Sequence, residues 1–134
     1  MRALLASELA PSHYYLLKTR GRRSGGIIST PVWLVEERGG RWLVSPYGEV
    51  SWVRNARAAR EVTLVRGFRS ETVRIAELGP EDSAPILKTY VRRVSVTRPY
   101  FDAGTDAPLE AFAAEAAKHP VFRVESGPTP PLRS

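Results

Sequence analysis

The 134-residue chain contains no cysteine, which excludes disulfide frameworks, zinc–thiolate centres and thiol nucleophiles. Histidine is almost as scarce. Only His13 and His119 occur, so a histidine-built metal site is not expected, and both are read as structural. No apolar run approaches the roughly 20 residues that span a bilayer. The opening Met1-Arg2-Ala3-Leu4-Leu5-Ala6 has no apolar stretch of signal-peptide length, so a cytoplasmic location is expected. No Ser/His/Asp set, carboxylate pair or metal-ligand spacing stands out, and no side chain is nominated as catalytic. Lysine is rare too: Lys18, Lys88 and Lys118 are the only lysines among 20 basic residues, the rest being arginine.

What is present is ordinary globular composition, 43% hydrophobic and 25% charged, which argues against disorder. The net charge of +6 and pI near 10.2 call for an anionic partner: nucleic acid, an anionic membrane surface or a small anion. The distribution of charge is more specific than its total. In Lys18-Thr19-Arg20-Gly21-Arg22-Arg23-Ser24-Gly25-Gly26 four cations fall within six residues and three glycines follow or interrupt them. A tight hairpin needs one or two such glycines and no arginine. Arginines on a turn whose glycines let the backbone approach a ligand suit phosphate or carboxylate oxygens. The alternative for such a run is a solvated hairpin with charges for solubility.

The pattern of elements predicts an α+β domain. His13 to Thr19 reads as a strand, Ile27 to Glu36 as a second with Pro31 at an edge or bulge, and Arg41 to Ser45 as a third, the three forming a meander across the Glu37–Gly40 turn. Ser51 is placed as the N-cap of a short helix burying Trp52, Ala56 and Ala59, with Arg54 and Arg57 outward. Glu61 to Arg66 and Ser70 to Leu78 read as a hairpin around Gly67. Pro80 opens a helix with Glu81 and Asp82 at its start and Arg92 and Arg93 near its end, carrying Ile86, Leu87, Tyr90, Val91 and Val94 on its apolar stripe. After an irregular Ser95–Gly104 segment, Pro108 to Ala117 reads as a helix with Leu109, Phe112, Ala113 and Ala116 on one side, and Val121 to Glu125 as a last strand. About six short antiparallel strands with two or three peripheral helices fit a barrel better than a parallel βαβ sheet. The expected division is an N-terminal extension over 1–12, one domain over 13–125 and a flexible proline-rich tail over 126–134.

Three stretches together resemble the deazaflavin-dependent nitroreductase and F420H2-dependent quinone reductase family, whose fold is a split β-barrel of the FMN-binding type. They are Leu16–Gly25 with downstream Thr30-Pro31, Trp42–Ser45 running to Trp52-Val53-Arg54-Asn55-Ala56-Arg57-Ala58, and His119-Pro120-Val121-Phe122-Arg123-Val124. The first departs from the family pattern at Ile28, where members often carry an arginine, and at Arg20, where they carry threonine. The resemblance implies bound coenzyme F420, a hydride carrier with a phosphate and an oligoglutamate tail, with FMN as the alternative flavin. It places Arg22, Arg23, Ser24, Gly25 and Pro31 on the phosphate and tail, and Ser45, Pro46, Tyr47, Ser51, Trp52, Arg54 and Asn55 along the ring. Tyr100 and Phe101 become acceptor-pocket candidates, with Tyr90 weighed as plain helix core. The implied activity is hydride transfer to a quinone, nitro or activated-alkene acceptor. The cofactor carries that chemistry, while the protein binds and orients. A non-catalytic F420 or FMN carrier is the alternative. A nucleic-acid-binding barrel ranks last, because the aromatics alternate as core residues do. No nucleic acid is expected as partner; peripheral membrane association for quinone access, and either a monomer or a homodimer, fit the same resemblance.

Overall fold

A computed structural model describes residues 13–23 and 25–125. The expected extension over 1–12, the tail over 126–134 and Ser24 lie outside the described residues. The described chain builds seven strands: β1 (Tyr14–Arg20), β2 (Ile27–Trp33), β3 (Val35–Glu37), β4 (Gly40–Val44), β5 (Glu61–Arg66), β6 (Arg69–Glu77) and β7 (Val121–Glu125). Helix α1 (Ser51–Ala59) joins β4 to β5, while α2 (Pro80–Arg93) and α3 (Leu109–Ala114) lie between β6 and β7.

All pairings are antiparallel, in the order β2-β1-β5-β6-β7-β4-β3. Strands β2 and β3 therefore occupy opposite edges of the sheet although only Leu34 separates them in sequence. Such a connection is geometrically possible only if the sheet curls until its edges approach. The Leu34 N–H donates to the His13 carbonyl at 2.9 Å, which carries the β1–β2 ladder one residue past Trp33 before the chain crosses to β3. This is the antiparallel barrel that the element pattern predicts, in the split form that the resemblance implies, with one strand more than expected.

Two-residue alternation divides the barrel wall between two cores. Leu17, Leu34, Leu43, Leu64, Phe122 and Val124 face inward with Trp52, Val53 and Ala56 of α1. Trp33, Val35, Val44 and Val121, one position off on the same strands, face outward under α2 and Phe112 of α3. Each fully buried side chain of this kind contributes about 1.5–3 kcal/mol relative to exposure, so both faces of the β2–β3 and β4–β7 region are held by burial.

Several expectations change. The single strand over Ile27–Glu36 is two strands, and the three-strand meander does not form: β2 pairs with β1, whereas β3 pairs with β4. An apolar run that is buried on both faces gives no periodicity to mark the bend at Leu34. Pro31 sits on the edge strand β2, where a missing N–H costs no ladder bond. Ser51 is the first helical residue rather than the cap; Val50 is the N-cap and supplies no side-chain hydrogen bond. Ala59 is exposed, and the apolar face of α1 is Trp52, Val53 and Ala56 with Asn55 buried among them. The last helix is shorter than expected and ends at Ala114, with Leu109 exposed.

Candidate functional site

The basic turn closes on itself through its backbone. The Gly21 N–H donates to the Gly26 carbonyl at 2.7 Å and the Gly25 N–H to the Gly21 carbonyl at 3.1 Å. Gly25 adopts φ +74°, and no atom lies within 4 Å of where a Cβ would project, so the backbone is open to close approach at that point. The Arg20 guanidinium donates to the Gly25 carbonyl at 3.1 Å, which makes it a brace of the turn. Arg23 is exposed.

Arg22 is held differently. Its Nη1 donates to Asn55 Oδ1 at 2.8 Å, and Asn55 Nδ2 donates to Thr19 Oγ1 at 3.1 Å. A guanidinium can only donate, so this network also fixes which way the Asn55 amide points. Asn55 is 2% and Thr19 4% exposed. The expectation that Asn55 lies along the ligand is therefore revised: its side chain is spent on Arg22 and Thr19, and it acts on the turn from behind. A polar residue within the apolar stripe of a predicted helix was the sequence signal for this buried role, and Thr19, which sequence reasoning passed over, is its partner.

Trp52 precedes Asn55 by three residues and shares its side of α1. It packs against Phe122, with ring centroids 5.9 Å apart, and also lines a cleft of about 150 Å³ with Pro31, Pro46, Tyr47, Tyr90 and Thr97. The same helix thus holds Arg22 with one residue and borders the cleft with another. Burial, with Tyr47 and Tyr14 nearby, raises the Tyr90 phenol well above its ordinary pKa, so it stays protonated and able to donate. Tyr90 completes the apolar stripe of α2, as its spacing suggests, and reaches the cleft as well.

The loop after β4 forms the opposite wall. Ser45 is fully buried; its Oγ donates to the Gly48 carbonyl at 2.6 Å and its N–H to the Pro120 carbonyl at 2.9 Å. Ser45 shapes the loop rather than presenting a hydroxyl to the cleft. Gly48 takes φ +91° beside the Lys118 carbonyl, which lets the loop turn into α1. Tyr47 and Tyr100 are both more than half exposed and meet edge to face, with centroids 4.7 Å apart. Ser51 and Arg54 are exposed on α1. Phe101 is not among the residues that line the cleft; it is buried and stacks on the His119 ring at 3.8 Å, so of the two aromatics after Pro99 only Tyr100 reaches the surface.

A larger hollow, about 640 Å³, opens elsewhere between the C-terminal half of α1 and strands β6 and β7. It fits an anion less well than the turn does. Its Arg57 is committed to Glu77 at 2.8 Å and Glu49 at 3.2 Å, and the hydrogen bonds it donates to those carboxylates raise its pKa further. Arg60 and Arg74 also line it, but Glu61 and Glu125 on the same walls offset their charge. Among the described residues no group of three or more His, Asp or Glu side chains is placed to hold a metal ion.

A curled antiparallel sheet whose strand β2 carries an arginine–glycine turn at one end and borders an aromatic cleft defines the class: a split β-barrel fold. Solved structures share it. An F420-H2-dependent reductase, FDR-A, is 25% identical over 84% of this chain and 94% of its own, with a TM-score of 0.57. A protein solved as a domain-swapped dimer is 23% identical over 84% of this chain and 80% of its own, with a TM-score of 0.57. A conserved hypothetical protein of Mycobacterium tuberculosis is 17% identical over 94% of this chain and 81% of its own, with a TM-score of 0.62. No curated protein matches the chain. The model of the F420H(2)-dependent quinone reductase family matches residues 3–115, and the chain belongs to that family.

Proposed function

We propose that this protein binds coenzyme F420 along α1 and uses its reduced form to reduce a small acceptor of the quinone, nitro or activated-alkene type. The observation that carries the proposal is the Thr19–Asn55–Arg22 network, which fixes a cation at a glycine turn without neutralising it. The donor set fits the coenzyme. Arg22, Arg23 and the open backbone at Gly25 suit its phosphate and glutamate carboxylates, for which charge-assisted contacts are the strong ones. Pro31, Pro46, Tyr47 and Trp52 offer apolar and aromatic surface for a planar ring, and the N–H groups of Ser51 and Trp52, which precede the first intrahelical bonds at Val53 and Arg54 and have no side-chain cap, suit ring oxygens.

When bound, reduced F420 supplies a hydride, two electrons with one proton, to the acceptor. The protein's own part is to orient both molecules and exclude water. Trp52 backs the ring from the core side. Tyr47 and Tyr100 form the rim over which an acceptor would enter, and the Tyr90 hydroxyl, kept protonated by burial, can donate a hydrogen bond to it, leaving the second proton to come from water. Arg54, exposed one helical turn from the loop, is a further contact for the anionic end.

We read the protein as a cytoplasmic enzyme, monomeric or homodimeric, that works at a membrane surface when its acceptor is a lipid-soluble quinone. The test is titration of the purified protein with F420 and with FMN, followed by turnover of reduced F420 against a panel of quinones and nitroaromatics. Micromolar binding of F420 with oxidation by at least one acceptor is expected. Binding without turnover would leave a coenzyme carrier, preference for FMN would change the flavin, and binding of neither would end the redox reading.

A further inference from the structure

We propose that the buried Glu115–His119 pair is a positioning device for the loop wall of the cleft, and that it carries one proton more than a neutral imidazole beside a carboxylate. Both ring nitrogens of His119 face acceptors. Nδ1 lies 3.0 Å from the Pro46 carbonyl and Nε2 lies 2.9 Å from Glu115 Oε1. A neutral imidazole has one N–H and one bare lone pair, so with an ionised Glu115 one of these pairings would set two acceptors against each other. A carbonyl cannot supply a hydrogen, so the hydrogen at Nδ1 is required by Pro46. The hydrogen between Nε2 and Oε1 is then an additional one, on the ring or on the carboxyl.

The surroundings support a fixed, fully satisfied unit. Glu115 also accepts the Asp102 N–H at 3.0 Å and the Ala103 N–H at 2.7 Å. His119 is 2% exposed, and the Phe101 ring covers it at 3.8 Å with planes 19° apart. The adjacent Lys118 points away to Asp102 at the surface, at 3.2 Å. Three segments of the chain are thereby tied at one buried point: the loop after β4 through Pro46, the 101–103 segment through Glu115 and Phe101, and the entry to β7. Tyr47 and Tyr100, the rim pair, each adjoin one of the anchored residues. His119 is therefore a positioning residue that sets the aromatic rim from beneath, with no contact of its own to a ligand.

Two substitutions separate its two hydrogen bonds. The amide of an asparagine occupies the place of Nδ1, so His119→Asn keeps a donor toward Pro46 and loses the link to Glu115. His119→Gln reaches toward Glu115 and loses Pro46. The Tyr47 and Gly48 amide NMR signals, which need no coenzyme, are expected to move in His119→Gln and to stay close to wild type in His119→Asn, while both variants lower Tm. The coenzyme arm rests on the proposed F420 function: affinity of the folded protein should fall about tenfold in His119→Gln, the size of one hydrogen bond, and change little in His119→Asn. Loop signals unmoved in both variants would overturn the positioning role, leaving a structural pair. The proton count needs no variant. In the ¹⁵N spectrum of the wild type Nδ1 should carry hydrogen, with the second proton on Nε2 or on the Glu115 carboxyl. A bare Nδ1, or a bare Nε2 beside an ionised Glu115, would overturn it. Should the wild type bind no F420, the proposed function fails while the loop and ring-nitrogen signals still decide this inference.

Discussion

The β1–β2 and β5–β6 turns both set arginines beside a glycine at positive φ, Gly25 at 74° and Gly67 at 62°. Behind the first stands Asn55, buried and uncharged, which orients the Arg22 guanidinium and leaves its charge intact. Near the second, Arg66 lies over the Tyr15 ring at 4.8 Å, and Glu71 grips Arg41 through both carboxylate oxygens, at 2.7 and 3.2 Å. Phe68 at its tip is fully exposed. The arginine that Glu71 holds belongs to β4 and not to the turn, so the physical difference is between the groups that orient Arg22 and Arg41. A carboxylate fixes an arginine and cancels its charge; a buried amide fixes it and keeps the charge for something else. Arg57, held by Glu77 and Glu49, follows the carboxylate pattern.

Paired substitutions at the two turns break this contrast most sharply. Arg22→Ala with Arg23→Ala should weaken F420 binding by about 1.5–3 kcal/mol for each charge-assisted hydrogen bond removed, whereas Arg66→Ala with Arg69→Ala should leave the dissociation constant unchanged. Equal weakening by the two pairs, measured by fluorescence titration, would mean that net charge alone attracts the coenzyme. A finer probe is Asn55→Asp, which preserves the geometry but converts the first turn to the carboxylate pattern. Its coenzyme affinity should drop about tenfold, and a double-mutant cycle with Arg22→Ala should show the effect to be shared between them. If Asn55→Asp binds as well as wild type, orientation and not retained charge is what matters.

The smallest effect belongs to the far end of the barrel. The Arg41 hydrogen bond holds the Glu71 carboxyl below its ordinary pKa. A lowered folded-state value means that the pair stabilises the protein at neutral pH and that this contribution disappears as pH falls below the usual carboxylate range. Because Glu71 is about half exposed, at 47%, the pair is worth under about 1 kcal/mol. Glu71→Gln should flatten that part of the acid unfolding curve by no more than this amount and leave F420 binding untouched.

Much of the fold was legible because its signals are local. Alternation in Tyr14–Arg20, the glycine turns, and Pro80 with its acidic first turn marked elements within a residue or two of where they lie. The break at Leu34 was not legible, since Val32, Trp33, Leu34 and Val35 are all buried and a run buried on both faces looks the same bent or straight. The site divides likewise. Arg22, Pro46, Tyr47 and Trp52, named from the turn and the family motif, lie at the turn and along the cleft. Ser45, Asn55 and Phe101 are buried with their side chains turned away from the cleft, which the sequence did not show, because it gives a residue's chemistry and not the direction of its side chain. His119 was read as structural within the last family-like stretch, but its pairing with Glu115 was not legible: a four-residue spacing is common, and the group that gives it meaning, the Pro46 carbonyl, is 73 positions away.

The amino-acid sequence by itself determined that this chain is a basic, cysteine-free α+β domain with an arginine–glycine turn ahead of an aromatic helix, because composition, turn chemistry and period are properties of neighbours along the chain. Only the tertiary structure decided which of its arginines keep their charge and what anchors the cleft's loop. Those outcomes depend on which buried acceptors arrive beside them once the sheet has curled, Asn55 behind Arg22 and Glu115 beneath Pro46 by way of His119.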